Sequence, residues 1–317
     1  MSPGSKTDTL PGEITRLSRR GHRLRMRAEM IRAIRAFFSD QEYLEVETPQ
    51  LILSPAPEVH IEAIPADGRY LHTSPELCMK RLLAAGFSRI FQISKCFRKG
   101  ERGHLHLPEF TLLEWYRTGI DYTALMEECE ALFLFVAERL GQGRKISYRG
   151  RDVDLTGPWE RLTVKEAFDR YAALPLTRAL DEGCFDPIMV DQIEPHLGME
   201  RPTLLQDYPA SLAALARLKT DDRTVAERFE IYIAGIELAN GFSELNDPDE
   251  QRDRFERERQ QRTASGKTMY PMPETFLRSL ENMPEAAGIA VGVDRLAMVF
   301  SDATHIDQVT TFTPEEL

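Results

Sequence analysis

The sequence has little cysteine, no long apolar run and no surplus of positive charge, and each shortage closes off a class of protein. There are four cysteines in 317 residues. Cys78, Cys96, Cys129 and Cys184 are irregularly spaced and form no C-x-x-C pair. That speaks against a disulfide framework or a cysteine zinc site and suits a reducing, cytoplasmic home. No apolar stretch approaches the length of a membrane span, so no membrane partner is expected. The opening "MSPGSKTDTLPGE" has no apolar segment and reads as a loose polar tail, not a signal peptide. The formal charge of −11 argues against a broad nucleic-acid-binding face, while leaving room for local phosphate pockets. Internal repeats and long low-complexity segments are also missing.

What remains is an ordinary globular composition, 42% hydrophobic, in a chain long enough for one large domain or two small ones. We place a flexible tail at 1–18 and a single catalytic-type domain at 19–317. "RAEMIRAIRAFFSD" carries Met30, Ile34, Phe37 and Phe38 on one face of a long helix ending near Asp40. "YLEVETP" is a short strand stopped by Pro49. "SPELCMKRLLAAG" is a helix, with Ser74 expected as its N-cap and Gly86 just past its end. "RIFQISKCFR" is a strand, and 121–141 a second amphipathic helix. "ERFEIYIAGIELANGFSEL" reads as two strands turning at Ala234-Gly235. The charged stretch 247–263 is expected to be a helix with a solvated face. "AAGIAVGVDRLAMVF" is a strand running into a helix. Residues 142–200 carry no clear reading. Hairpin-like strands among helices point to an α+β fold on a mainly antiparallel sheet.

The stretch "FRKGERGHLHLPEFTLLEWYR" carries the chemistry. Strand alternation puts Phe110, Leu112, Glu114 and Tyr116 on one face. A carboxylate beside a phenol suits a cation, and the loop residues Arg98, Lys99, Arg102, His104 and His106 suit phosphate. An amphipathic hairpin with a solvated basic loop satisfies the same pattern. Gly288, Ala290 and Gly292 share strand parity, and small residues there let a flat ligand approach the backbone. Their spacing is not G-x-G-x-x-G, which excludes a Rossmann reading.

Four segments in order, "RAEMIRAIRAFFSDQEYLEVETP", "FR…H…PEFTLLEWY", "ERFEIYIAGIELANGFSELND" and "GIAVGVDRLAMVF", resemble the motifs of the class II aminoacyl-tRNA synthetases in their lysyl form. The resemblance covers nearly all of the chain from about residue 20 onward. It implies a class II catalytic domain, an antiparallel sheet flanked by helices and paired as a homodimer through the first motif. There is no room before that motif for an OB-fold anticodon-binding domain. Ser74 and Ala290 also stand where the tRNA-charging enzymes carry alanine and glycine. Both features resemble the free-standing paralogues, which activate a lysine-like amino acid with ATP and pass it to a lysine of elongation factor P. That implies (R)-β-lysine as substrate and speaks against tRNA.

The resemblance also assigns roles. Arg98 and Arg295 become the catalytic arginines on the α- and γ-phosphate sides of ATP. Glu101, His106, Phe110 (under adenine), Glu237 and Gly292 complete the ATP site. Glu230 and Glu237 become Mg2+ ligands. Ser74, Glu76, Glu114, Tyr116, Asn240, Phe242, Glu244 and Ala290 form the amino-acid pocket, with Glu114, Tyr116 and Glu244 on the side-chain ammonium and Glu76 on the other amine. Asn240 and Glu237 have opposite strand parity, so a bulge or twist is expected near Asn240-Gly241. Two positions depart from the pattern. Gly100 stands where a glutamate reads adenine, leaving Glu101 as its candidate replacement, and Leu107 replaces an asparagine. The alternatives are a truncated lysyl-tRNA synthetase acting on tRNA and a non-catalytic domain that binds ATP or an amino acid. A class II asparagine-forming enzyme fits poorly, because the expected pocket suits a cation.

Overall fold

A computed structural model of the protein describes residues 10–317. Helix α1 (Leu10–Asp40) begins well before residue 19. The expected tail is therefore helical over 10–18, and its first nine residues lie outside the described residues. Arg20 explains why the helix continues: its two Nη atoms donate to the two carboxylate oxygens of Glu316, each at 2.8 Å. The apolar face read from the sequence is the buried one. Met30, Ile34, Phe37 and Phe38 are all in the core, and Phe38 stacks on Phe91 at 4.7 Å between centroids.

The chain then builds one large sheet. Its strands are β1 (Leu44–Glu45), β2 (Arg89–Phe97), β3 (Glu109–Thr118), β4 (Glu160–Thr163), β5 (Thr203–Pro209), β6 (Val225–Ile233), β7 (Ile236–Ser243) and β8 (Ala286–Gly292). Their order is β1-β2-β3-β8-β7-β6-β5-β4. All pairings are antiparallel except the two outermost, β1 on β2 and β4 on β5. The α+β reading stands, with parallel edges on an antiparallel centre.

Four further helices matter to the site: α2 (Glu76–Ala84), α3 (Tyr122–Arg139), α4 (Pro248–Ala264) and α5 (Val293–Phe300). One face of the sheet packs under α1, α3 and α5, and Leu113, Trp115, Phe229, Ile231 and Ile289 fill that layer. The opposite face carries Glu114, Tyr116 and Phe242 and leaves a cleft beside α2. Residues 142–200 form a small hairpin, β4 and short helices. Leu162, Phe168, Phe185 and Ile193 pack there against Leu205 and Tyr232, closing the far end of the sheet. Among the described residues no helix is long and apolar enough to cross a membrane.

Three local expectations need correction. Ser74 is not the N-cap of α2, because Pro75 holds that position; Ser74 sits one residue earlier and its Oγ accepts from the Glu76 N–H at 3.0 Å. The β6–β7 turn is at Ala234-Gly235 as read, with φ of 50° and 76°, the left-handed pair a two-residue hairpin needs. The bulge, however, is not at Asn240-Gly241. Ile231 pairs with Ala239 and Tyr232 with Glu237, so Leu238 is the extra residue. The extra residue reverses the parity of β7. Glu237 then stands opposite Tyr232 and Asn240 opposite Glu230, all on one face.

Helix α4 is not simply a solvated face, since Gln251, Phe255 and Arg262 are buried. Arg262 donates to Glu58 O at 2.6 Å, Ile61 O at 2.9 Å, Thr268 O at 2.9 Å and Glu62 Oε1 at 2.6 Å, and lies over the Tyr270 ring at 4.2 Å. One guanidinium therefore holds the loop 58–62 against the cleft. Removing it would strand a carboxylate and three carbonyls. We expect Arg262→Met to cost about 3 to 5 kcal/mol in urea unfolding. Hydrogen exchange should show the loop 58–62 losing protection first; unaltered protection there would refute the role.

Candidate active site

The cleft holds about 250 Å³ and is lined by β3, β7, β8, the loop 98–107 and the entry to α2. Because β3 alternates, Phe110, Leu112, Glu114 and Tyr116 all point into it, while Leu113 and Trp115 fill the core behind. Register sets the rest. Ala290 pairs with Glu114 and Gly288 with Tyr116 across β8, and Asn240 pairs with Ala290 and Phe242 with Gly288 across β7. Gly288 has a steric reason to be glycine. A Cβ there would lie 2.2 Å from the Tyr116 ring and 2.6 Å from Glu244 Oε1.

One end of the cleft is acidic and deep. Glu114 is fully buried; its Oε1 accepts from Ser74 Oγ at 2.6 Å and its Oε2 from Tyr116 OH at 2.9 Å. Burial, reinforced by Glu76, pushes its carboxyl up to about 8. Glu244 lies behind the wall near Gly288, fully buried, and burial pushes it up to about 8 as well. Its Oε1 has no hydrogen-bond partner among the described residues.

Lys80, which sequence reasoning missed, ties this end together. It is fully buried, donates to Glu76 Oε1 at 2.6 Å, forms an ion pair with Glu244 and sits 5.1 Å over the Phe242 ring. Burial works against its charge, but Glu244 and Glu76 outweigh it and hold the ammonium more firmly than usual. The available signal was the i,i+4 spacing of Glu76 and Lys80 on a helix face shared with Met79 and Leu83. Three buried or half-buried carboxyls face one internal lysine, and burial keeps two of them, Glu114 and Glu244, protonated at neutral pH until a further cation offsets the cost of ionising them. Such a pocket suits a ligand with ammonium groups.

The other end is cationic. Arg295 donates to Glu237 O at 2.8 Å, to Glu237 Oε2 at 3.2 Å and to His106 Nε2 at 2.6 Å. His106 accepts as a neutral imidazole, since burial and the Arg295 charge both depress its pKa. Arg98 lies 5.0 Å over the Phe110 ring, with Glu101 at 3.9 Å. Gly100 has φ of 79°, in the left-handed region, so a side chain there would strain the turn, while Glu101 points to the cleft. Leu107 is a cleft and core residue.

The fold does not gather every expected residue. Arg102 leaves the cleft to pair with Glu315 at 2.8 Å and Asp307 at 3.0 Å, and His104 packs on His305. Glu237 lines the cleft; Glu230, on the same sheet face and near enough for the two carboxylates to repel, is outside the lining and accepts from Arg228 Nη2 at 2.5 Å and Tyr232 OH at 2.8 Å. Among the described residues no group of three or more His, Cys, Asp or Glu side chains is arranged to hold a metal alone.

The acidic end makes stability depend on pH. The Glu114 carboxyl is raised from 4.5 to about 8 in the folded protein. Its contribution is therefore fully present below about pH 4.5 and is lost as pH rises to about 8. The ligand-free protein should unfold at lower urea at pH 8 than at pH 5, and Glu114→Gln should flatten that slope. Parallel profiles for wild type and variant would refute the assignment.

Comparison with known proteins agrees with this geometry. The sequence profile of the tRNA synthetases class II (D, K and N) matches residues 13–316. A Vibrio cholerae serotype O1 protein named elongation factor P–(R)-β-lysine ligase is 40% identical over 307 residues, covering 91% of this chain and 94% of its own. Proteins of the same name from Proteus mirabilis and Pectobacterium atrosepticum are 40% and 38% identical. They cover 90% and 91% of this chain, and 93% and 94% of their own. With a cleft acidic at one end and cationic at the other on an antiparallel sheet, and a profile match from end to end of the described fold, the chain belongs to the class II tRNA synthetases of the D, K and N type.

Proposed function

We propose that the protein is an ATP-dependent ligase that activates a lysine-like amino acid, (R)-β-lysine, as its adenylate and transfers it to a lysine of elongation factor P. The observation that carries this is the pairing, at one cleft, of a pocket in which three carboxyls share a single internal lysine with a cluster of Arg98, Arg295 and His106. Adenylation is an in-line attack of a carboxylate on the α-phosphorus of ATP, with pyrophosphate leaving. It needs alignment and positive charge more than covalent help from the protein. Arg98 holds the α-phosphate and Arg295 the γ-phosphate end, with His106 and Glu237 fixing the Arg295 fork. Phe110 and Gly292 accommodate the adenine side, where Glu101 replaces the missing glutamate as reader.

Glu114, Tyr116 and Glu244 take the side-chain ammonium, and the unpartnered Oε1 of Glu244 is the oxygen free to accept it. Glu76, Asn240 and Phe242 hold the other end of the amino acid, and Ser74 sets the seat between Glu76 and Glu114. Mg2+ fits the donor chemistry at Glu237, with Glu230 as a second carboxylate on the same sheet face, because the ion commonly uses one or two carboxylates together with substrate phosphates. When bound it would neutralise phosphate charge. The same reading takes 19–317 as one synthetase-like unit, paired as a homodimer through α1 and β1, and not acting on tRNA.

The test is ATP–pyrophosphate exchange with (R)-β-lysine and L-α-lysine in parallel, followed by elongation factor P or lysine tRNA. Exchange favouring β-lysine, with a matching mass increase on elongation factor P, is expected. Charged tRNA would favour the tRNA-acting alternative, and no exchange with either amino acid would overturn the proposal.

The pocket chemistry gives a second test. Lys80→Met frees Glu76 and Glu244 from their shared counter-ion and lets both drift. Loss of a charge-assisted contact worth ~1.5–3 kcal/mol should raise the amino-acid KM roughly tenfold or more, with a smaller effect on the ATP KM. Equal effects on both would assign Lys80 to folding alone.

A further inference from the structure

Glu58 belongs to no role assigned so far, and its position is unusual. It lies on the loop that Arg262 grips through Glu58 O and Ile61 O. Its side chain lines the cleft, and it also lines a second cavity of about 520 Å³. Three residues, Glu58, Ser74 and Glu76, are common to both walls. Ser74 is engaged by Glu114 and Glu76 by Lys80. The Glu58 carboxyl makes no hydrogen bond to any described residue. The charged groups that face it are Arg98, Arg228, Glu76 and Glu258. It therefore shares the cleft with the arginine of the phosphate end and the carboxylate of the amine end, both near enough to act on its charge. The activated carboxyl carbon has to lie between those two ends.

The second cavity reaches Glu58, Ser74 and Glu76, and none of Arg98, His106, Phe110 and Arg295 lines it. Leu51, Ile52, Leu77, Met272 and Phe276 give it a largely apolar wall. Such a passage suits the aliphatic stem of a lysine side chain brought by a protein. We propose that Glu58 is the general base of the transfer step, taking a proton from the acceptor lysine that enters through this second cavity. The inference rests on the ligase function proposed above.

The chemistry requires such a group. A free lysine side chain has a pKa of about 10.4 and arrives as an ammonium with no lone pair to attack. Its nitrogen loses one proton to Glu58 and attacks the acyl carbon of the adenylate. The new C–N bond forms, the C–O bond of the mixed anhydride breaks, and AMP leaves with the electron pair. The nitrogen gives up its second proton to water, and Glu58 returns its own to solvent. No oxidant or other co-reactant is needed. Burial in the loop, opposed by Arg98 and supported by Glu76, pushes the Glu58 carboxyl up to about 7, close to the pH at which a base works best.

The experiment forms the adenylate first on the full-length enzyme, removes free ATP and amino acid, then adds elongation factor P and follows a single turnover. Glu58→Gln should slow transfer ~100-fold, the usual contribution of a positioned base. Pyrophosphate exchange should stay within about threefold of wild type, which also shows that the variant folds. Wild-type transfer should rise with pH through an inflection near 7, and the variant should lose that inflection. A variant that transfers at the wild-type rate overturns the inference alone. So does one whose amino-acid KM in exchange rises while transfer is unaltered, because Glu58 would then bind substrate. If wild type forms adenylate and does not modify elongation factor P, the ligase reading fails and takes this inference with it.

Discussion

The structure depends on a buried group of charges, Lys80 with Glu76, Glu114 and Glu244, at the acidic end of the cleft. Burying carboxylates is costly unless they are paired or hydrogen-bonded. Here one ammonium spans two of them, and the third is held by a serine and a tyrosine hydroxyl. The compensation is incomplete, as the raised Glu114 and Glu244 carboxyls and the lone Glu244 Oε1 show. A pocket with more buried carboxyls than counter-ions is a poor device for stability and a good one for binding a cation. Much of the surrounding fold can be understood as keeping these four side chains apart from water and close to one another.

The sheet does this by register. Glu114 and Tyr116 come from β3, Glu244 follows β7, and Glu76 and Lys80 come from α2, which packs over β3. Gly288 on β8 leaves the gap through which the Glu244 carboxylate meets the Tyr116 ring. One extra residue, Leu238, turns β7 so that Asn240 and Glu237 face the same way. The acidic and cationic ends thereby share a single wall. Arg262 plays a complementary part, holding the loop 58–62, whose Glu58 lines both cavities.

Much of this was legible in the sequence, for reasons that differ by residue. The alternation of β3 put Glu114 and Tyr116 together because strand side chains have a period of two. Phe37 and Phe38 were readable as core because helical faces repeat. Other readings failed where a distant partner intervened. Arg102 belongs by composition to a phosphate loop, yet Glu315 and Asp307 claim it from the C-terminus. Arg262 looked like one more charge on a polar helix, and only three acceptors from the distant loop 58–62, with Thr268 just past its own helix, explain its burial. Glu230 does share a sheet face with Glu237, but its own strand neighbours Arg228 and Tyr232 engage its carboxylate.

The sequence by itself determined most elements outside 142–200, the hairpin turn at Ala234-Gly235, the α+β class and the residue types able to meet phosphate and a cation. Those follow from local periodicity, turn chemistry and motif spacing, which act over a few residues and survive reading along a line. Only the tertiary structure decided where the bulge falls, which arginines stay in the cleft, that Lys80 is the internal counter-ion and that Glu58 stands between two cavities. These are contacts between segments far apart in the chain. Their outcome is set by burial and by competition among charged partners, and neither is written in the neighbourhood of any one residue.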